Sequence, residues 1–323
     1  MALIFHGGFL SAQEAFVPSG SPHAKVFFNF HSGVNNDERG FNLTRAYLGY
    51  EYRISERFSA DVTFDVGTPE VAIGGSPTPA SYELIAFLKI AELAYESGHV
   101  RLTAGMIGLE QFKIQEDYWG FRYIEESFQD LYELGPSADL GAMAAYDFTD
   151  WLSVDAVVRN GEGYKRLQSD NALNAGLGIS LKPVEGLVVR GYYDCSTHDT
   201  AQYSLAHFIG YKNGKTTVGA EYNIQLNHQN LKNHDLKGYS LFGSWSFTDR
   251  WRLFARYDKL SSNAAIEDSG AWNVEGDGRL MIGGVEYSPV DAIKIALDYQ
   301  AWNPADKSKD DRGFIFLNFE YVF

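Results

Sequence analysis

The sequence predicts an all-β protein, a transmembrane antiparallel β-barrel of about 16 strands. Three observations carry that expectation: apolar and polar residues alternate with period two, short connections alternate with long ones, and the chain closes on alternating aromatics that end in Phe323. Side chains of a strand point to opposite faces in turn, so each alternating segment has one apolar and one polar wall. Phe58, Ala60, Val62, Phe64 and Val66 share one parity, while Ser59, Asp61, Thr63 and Asp65 share the other. Val218, Ala220, Tyr222 and Ile224 repeat the pattern, as do Ile293, Ile295, Leu297 and Tyr299.

In chain order this rhythm places strands at Ala24 to His31, Phe41 to Arg53, Arg57 to Gly67, Ser81 to Glu96, Val100 to Ile107 and Ala138 to Phe148. They continue at Trp151 to Asn160, Asn171 to Lys182, Leu187 to Ser196, Gln202 to Lys212 and Thr216 to His228. The last five are Leu236 to Phe247, Trp251 to Leu260, Arg279 to Ser288, Ala292 to Trp302 and Gly313 to Phe323. An even count suits a single-chain bacterial barrel. Every other connection is tight and turn-rich, among them Gly98-His99, Thr149-Asp150, Asn213-Gly214-Lys215 and Thr248-Asp249-Arg250. Those between are longer and polar: Gly33 to Gly40, Thr68 to Ala80, Ser261 to Gly278 and Pro304 to Arg312. Tight turns on one rim and long loops on the other are the periplasmic and extracellular ends of an outer-membrane barrel.

Composition removes the competing classes. The 323 residues include 22 Phe, 20 Tyr, 6 Trp and 32 Gly but only 9 Pro. Acidic residues outnumber basic ones 42 to 27, for a formal charge of -15 and a pI near 4.9, which argues against nucleic-acid binding. The single cysteine, Cys195, excludes an internal disulfide and a structural zinc site. No uncharged apolar run reaches the roughly 18 to 20 residues of a membrane helix, whereas barrel strands are short and only half apolar. Residues 1–12 read as the remnant of an export signal: an apolar stretch ends in Ser11-Ala12, without a basic start. A single barrel domain then occupies residues 13–323. A soluble antiparallel β-protein would also alternate. It has no reason to alternate turn lengths, nor to gather Tyr50, Tyr52, Phe148, Trp245, Phe247, Trp251 and Tyr287 near strand ends as an interfacial girdle does.

One connection breaks the scale of the rest. Leu109 to Ser137 spans 29 residues between the fifth and sixth strands. Seven are acidic (Glu110, Glu116, Asp117, Glu125, Glu126, Asp130, Glu133) and two basic (Lys113, Arg122). Seven more are aromatic (Phe112, Tyr118, Trp119, Phe121, Tyr123, Phe128, Tyr132), so this third long loop should pack against something. Ile124, Phe128 and Leu131 at helical spacing suggest a short amphipathic helix within it.

The strand order, a longest third loop and a C-terminal Phe resemble the sixteen-stranded porins. More narrowly, FNLTRAYLGYEYRISERFSADVTFDVG (41–67), QFKIQEDYWGFRYIEESFQDL (111–131), GPSADLG (135–141) and the segment from Asn160 to Asp194 are similar to the Bacteroidetes branch of the phosphate-selective porin O and P family. The resemblance implies a third loop folded inward to narrow the pore, passive diffusion of small hydrophilic solutes, and no cofactor. It implies as partners the outer-membrane lipid, small hydrophilic solutes and the barrel assembly machinery, which would read Phe323. A homotrimer follows by analogy.

The polar parity then lists the lumen. Basic residues assigned inward are Arg45, Lys89, Arg101, Arg159, Arg190, Arg256 and Lys294. Acidic ones are Asp61, Asp65, Asp139, Asp155, Asp194, Glu221, Asp258, Glu286, Asp298 and Glu320. Phosphate-selective members are expected to carry rows of Arg and Lys, so this mixed, acid-rich lumen departs from them and predicts a mild cation or zwitterion preference. Arg45, Lys89, Arg101, Arg159 and Arg190 facing an acidic loop (Glu110, Lys113, Glu116, Asp117, Arg122, Glu125, Glu126) would set up a transverse field. The alternative is that these charges pair across the wall and merely stiffen the barrel. A plugged barrel, serving as an accessory subunit of an outer-membrane assembly, is the competing function. An enzyme is disfavoured: Ser204 and His207 lie on opposite faces of one strand, and no Gly-rich phosphate loop or metal-ligand pattern occurs.

Overall fold

The structure is a computed structural model that describes residues 16–67, 83–264, 272–274 and 276–323. The expected signal remnant and the connection from Thr68 to Ala80 lie outside the described residues, as does part of Ser261 to Gly278. Sixteen strands form a closed antiparallel barrel in which each pairs with its sequence neighbours. They are β1 Ser19–Gly33, β2 Arg39–Arg53, β3 Phe58–Gly67, β4 Ile85–Ser97, β5 Val100–Gly108, β6 Ala138–Thr149, β7 Leu152–Arg159 and β8 Asn174–Leu181. The second half is β9 Leu187–Ser196, β10 Tyr203–Lys212, β11 Thr216–Leu226, β12 Leu236–Ser246, β13 Trp251–Ser262, β14 Gly278–Val290, β15 Ile293–Pro304 and β16 Arg312–Val322. Pairing of β1 with β16, Lys25 opposite Val322 to Gly33 opposite Phe314, closes the ring and leaves no free edge.

The apolar parity faces outward. Along β10, Tyr203, Leu205, Ile209 and Tyr211 are exposed, whereas Ser204, Ala206 and Phe208 are buried. A water-soluble protein of this size would hide the first set; a barrel in lipid presents it. His207 is exposed on the outer parity and Ser204 buried on the inner one, so the two do not meet. Trp151, Trp245, Phe247, Trp251 and Phe323 stand exposed at the tight-turn rim, where an aromatic belt meets the bilayer interface.

Two bulges re-aim side chains on the β2–β4 wall. The register slips between Phe27 and Phe28, leaving Thr44 unmatched on β2, and between Thr63 and Phe64, leaving Lys89 unmatched on β4. Lys89 keeps the inward parity of Phe87, which pairs with Asp65, and its Nζ lies 3.5 Å from the Tyr47 hydroxyl and 4.8 Å from the ring centroid; beyond the bulge the inward parity switches, and Glu92 pairs with Asp61.

The connection after β5 folds into the lumen. It carries α1 (Glu110–Trp119) and α2 (Phe128–Leu131). The helix expected around Ile124 to Leu131 is therefore only the short α2, and the longer α1 lies earlier. In α1, Gln111, Phe112, Gln115 and Trp119 are buried on one face, but two of the four are polar, so the apolar spacing was silent. Gly120, at φ 69°, ends α1 in the left-handed region and turns the chain back.

Candidate functional site

The lumen has a dry side and a wet side. Polar parity alone would line it all with polar groups, yet Phe27, Val188, Phe208, Phe242, Phe254, Leu280 and Ile282 also point inward and are buried. Against them pack Trp119, Phe121, Tyr123 and Ile124 of the loop. The Phe121 and Phe254 ring centroids are 4.4 Å apart, and Trp119 lies 5.6 Å from Phe242. Each such aromatic side chain withdrawn from water contributes roughly 1.5–3 kcal/mol. Two further clusters pin the loop's ends: Phe112 with Ile107, Leu109, Met143 and Val157, and Phe128 with Leu134, Leu236 and Leu260. Wall glycines admit the close approach. A Cβ on Gly210 would stand 2.5 Å from the Tyr118 ring, and one on Gly238 2.6 Å from that of Phe128.

The loop also descends further than a mid-height constriction. The Tyr118 hydroxyl donates to the carbonyl of Gly186, in the tight turn between β8 and β9, at 3.0 Å. Tyr123 donates to Glu286 at 2.8 Å, near the same rim. The chain then climbs back: the Gln300 amide lies 3.4 Å from the Ile124 carbonyl, and Gln225 donates to Leu134 at 2.9 Å.

Buried polar contacts lock this dry side. Arg190 donates to both Asp155 oxygens, at 2.6 and 3.0 Å, to Ser180 at 2.9 Å, and to Gln111 of α1 at 3.0 Å. Gln111 donates to Gln129 at 3.2 Å, which reaches Glu221 at 3.4 Å. Arg159 donates to Asp194 at 2.8 Å and Arg256 to Asp258 at 2.6 Å; Arg256 also donates to the Glu126 carbonyl. Asp139 accepts from the backbone N–H groups of Leu140 and Gly161 and so fastens the loop that follows β7. Nearer the tight-turn rim Arg252 pairs with Glu286, at 2.9 Å, and Lys294 with Glu320 across neighbouring strands, the carboxylates buried and the cations part-exposed.

The opposite wall carries the part-exposed charges. Arg45 lies 3.5 Å from Asp65 of β3 and 3.2 Å from Glu126 of the loop. Glu126 accepts from Arg122 at 2.7 Å, and Arg122 also lies 3.4 Å from Glu116 and 3.5 Å from Asp130. The Tyr164 hydroxyl, brought down by the loop after β7, donates to Asp65. Lys89 sits over the rings of Tyr47 and Tyr164, and Lys165 over Phe87. Below them, toward the tight-turn rim, Asp61 faces His23 at 3.3 Å and Arg101 faces Glu96 at 3.4 Å.

The five arginines and lysines expected to form one basic wall therefore divide. Arg45 and Lys89 face the acidic edge of the loop; Arg159 and Arg190 pair within the dry wall; Arg101 stands at the rim. Of the loop residues, Lys113 and Asp117 pair with each other on the exposed face of α1, 3.7 Å apart. Glu110 opens α1, half-buried, while Glu116, Arg122 and Glu126 meet at the wet edge. Glu125, next to Glu126, is only partly charged near neutral pH. Its burial, reinforced by the Glu126 carboxylate, pushes its carboxyl up to about 7. Burial and Glu126 likewise push Asp130 up to about 6. Burial would raise Glu126 too, but Arg122 and Arg45 outweigh it and hold the group at about 2.

Tyr47, Tyr164 and Lys165 went unnoticed in the sequence. Tyr164-Lys165-Arg166 is an aromatic and basic run within a polar loop, and that was the available signal. Phe242 and Phe254 were legible too, because each shares parity with polar neighbours, Ser240 and Ser244 in one case, Arg252 and Arg256 in the other.

No family model and no curated protein matches the chain. Solved structures do. Salmonella typhi OmpF, in a complex with daunomycin, superposes with a TM-score of 0.70 at 13% identity, covering 94% of this chain and 97% of that one. The fold is that of an outer-membrane porin. The anion-selective porin from Comamonas acidovorans matches with a TM-score of 0.67 at 9% identity, over 95% of this chain and all (100%) of the other. A trimer form of Vibrio cholerae OmpT, an outer membrane protein, matches with a TM-score of 0.62 at 10% identity, over 95% and 100% of the two chains. Identities this low speak for the barrel and not for its cargo.

Proposed function

We propose that this barrel is an outer-membrane channel for passive diffusion of small hydrophilic solutes, with the route running along β1–β5 and not down the barrel axis. The observation that carries the reading is the strip of part-exposed charged groups on that wall. His23 and Arg101 have side chains 42% and 46% exposed, Asp61 26%, Glu126 24% and Arg45 16%, whereas Arg190, Arg159 and Arg256 beside the dry side of the loop are 1%, 2% and 1% exposed; the 25% and 27% of Arg252 and Lys294 arise below the loop, at the tight-turn rim. Water reaches the first set, and a water-filled path with charges of both signs passes polar solutes and rejects greasy ones.

Arg45, Lys89, Arg122 and Lys165 stand against Asp65, Glu116, Glu126 and Asp130, so the narrowest stretch is close to balanced in charge. That supports weak ion discrimination with zwitterions accepted, and it does not support a phosphate route. Kinship with the phosphate-selective branch therefore rests on the sequence segments and extends to architecture. Trimerisation, reading of Phe323 by the assembly machinery and the absence of catalysis complete the proposal.

A second reading has its own observation. The loop reaches the tight-turn rim at Tyr118, and Arg45 touches Glu126 directly, which is what a plugged barrel of an outer-membrane assembly would show. Single-channel recording in a salt gradient, on the whole chain and on a variant lacking Gln111 to Asp130, separates the two. A channel conducts in both forms, with conductance several-fold higher after the excision; a plug conducts only after it. A reversal potential of strong anion sign would overturn the proposed selectivity.

A further inference from the structure

The lumen also contains a hollow that the diffusion route does not explain. It has about 250 Å³ of free space and is lined by Leu280 of β14, Gln300 and Trp302 of β15, and Arg312, Phe314 and Phe316 of β16. All six share the inward parity: Leu280 pairs with Trp302, Trp302 with Arg312, and Gln300 with Phe314. Arg312 begins β16 at the long-loop end, and Gln300 touches the third loop from above through the Ile124 carbonyl. The hollow thus lies on the extracellular side of the loop, one strand away from the β1–β5 strip. A solute arriving from outside meets it before the Arg45–Glu126 contact.

Its chemistry is unusual for a pore wall. Phe314 and Phe316 have ring centroids 5.9 Å apart, and His31 of β1 joins them at 5.8 Å from Phe316 and 6.1 Å from Phe314. Unlike Phe121 or Phe254, neither ring of β16 is buried by the loop; both remain part-exposed to the lumen. At the edges of these rings stand hydrogen-bonding groups: the Arg312 guanidinium above and, below, the Gln300 amide, whose nitrogen is held by Asp298 at 3.1 Å. Nδ1 of His31, a side chain more than nine-tenths buried, lacks a hydrogen-bond partner beside them. Flat apolar faces with polar groups at the edges match a molecule that is apolar on its faces and hydroxylated at its rim. The volume sits just under the about 300–1,000 Å³ of sites for drug-sized ligands, so it suits a ring or two and not a large ligand.

We propose that this hollow is a saccharide-binding subsite, in which neutral pyranose rings pack against the Phe314, Phe316 and Trp302 rings while their hydroxyls bond to Arg312 and Gln300. Conduction requires binding that is strong enough to capture and weak enough to release. Stacking on part-exposed rings meets that condition, and millimolar affinity is expected. The proposal deepens the diffusion-channel reading and rests on it for the fate of the captured sugar, but binding itself can be measured on a barrel that does not conduct.

The test is a titration of intrinsic tryptophan emission of the whole detergent-solubilised protein with a linear glucose trisaccharide. Trp302 lines the hollow and reports occupancy. A saturable change in the millimolar range is expected, lost by at least tenfold in affinity in Phe314→Ala/Phe316→Ala and retained in Phe314→Tyr/Phe316→Tyr. Heat-modifiable gel mobility identifies a folded barrel in each variant. Absence of a saturable change in the folded parent, equal affinity in the alanine double variant, or saturation by benzoate but not by the sugar would each overturn the proposal. Because no current is recorded, a closed barrel that binds the sugar would sink the diffusion reading alone.

Discussion

The two sides of the lumen obey the same alternation and end in opposite states. From β6 round to β13, inward positions at the level of the loop mix Phe208, Phe242 and Phe254 with charges that already have partners, and the loop's own aromatics seal them from water. From β1 to β5, inward positions are His23, Arg45, Asp61, Asp65 and Lys89, and the loop offers them a charged edge. Apolar contact on the dry side decides where the loop sits; in the proposed channel, what its other edge presents to water decides what passes. One side is therefore expected to govern stability and the other selectivity, and substitutions can pull the two apart.

The largest effect belongs to the anchor. Phe121 is fully buried and packs on Phe254 at a ring tilt of 34°, with the Arg252 guanidinium 4.1 Å from its ring centroid. Phe121→Ala removes a whole ring from a packed site, a change that costs about 3–5 kcal/mol in well-packed cores. The loop should loosen, with protease cleavage between Glu116 and Asp130 and larger, noisier single-channel currents, while the barrel itself still forms. A variant as protease-resistant as the parent would mean that the two flanking clusters, around Phe112 and Phe128, suffice to hold the loop.

Next comes the contrast between two arginines. Arg190 and Asp155 are both buried, and breaking such a pair leaves an uncompensated charge at a cost of about 3–5 kcal/mol. Arg190→Gln should lower the unfolding midpoint in guanidinium with little change of reversal potential. Arg45→Gln should do the reverse. It leaves Glu126 with Arg122 alone at the wet edge and the buried Asp65 with the Tyr164 hydroxyl, so the zero-current potential in a salt gradient should shift toward cation preference while the unfolding midpoint falls less than in Arg190→Gln. Similar behaviour of the two variants would erase the distinction between a dry and a wet side.

The strands were legible because lipid outside and water inside make the period-two pattern as plain as it can be: all sixteen fall where alternation put them, to within a few residues. What the sequence withheld was partnership. Nothing local to Arg45 and Arg159 distinguishes an arginine that faces the loop from one that pairs with Asp194, since that depends on which wall the loop leans on. The bulge at Lys89, beyond which Glu92 takes the inward parity opposite Asp61, was equally hidden, because an unmatched residue shows only against its partner strand. The depth of the loop at Tyr118 and the descent of Tyr164 are long-range choices of the same kind.

The smallest predicted effect lies within the loop, where neighbouring carboxyls differ in charge. Glu125 and Asp130 are pushed up to about 7 and about 6, first by burial and then by Glu126, whereas Glu126 stays ionised beside Arg122 and Arg45. Between pH 8 and pH 5 the docked loop therefore binds up to two protons that the undocked loop would not. More protons on the docked form mean that docking tightens as pH falls through this window and weakens as it rises. The same protons remove negative charge from the loop's wet side, so cation preference should decline, by a modest shift of reversal potential, and channel noise should fall with it. Glu125→Gln should delete the upper part of this response and leave the part near pH 6 that belongs to Asp130. A reversal potential flat from pH 8 to pH 5 in the parent would show that these carboxyls lie away from the ion path, and would move the wet side off the loop and onto the β2–β3 wall alone.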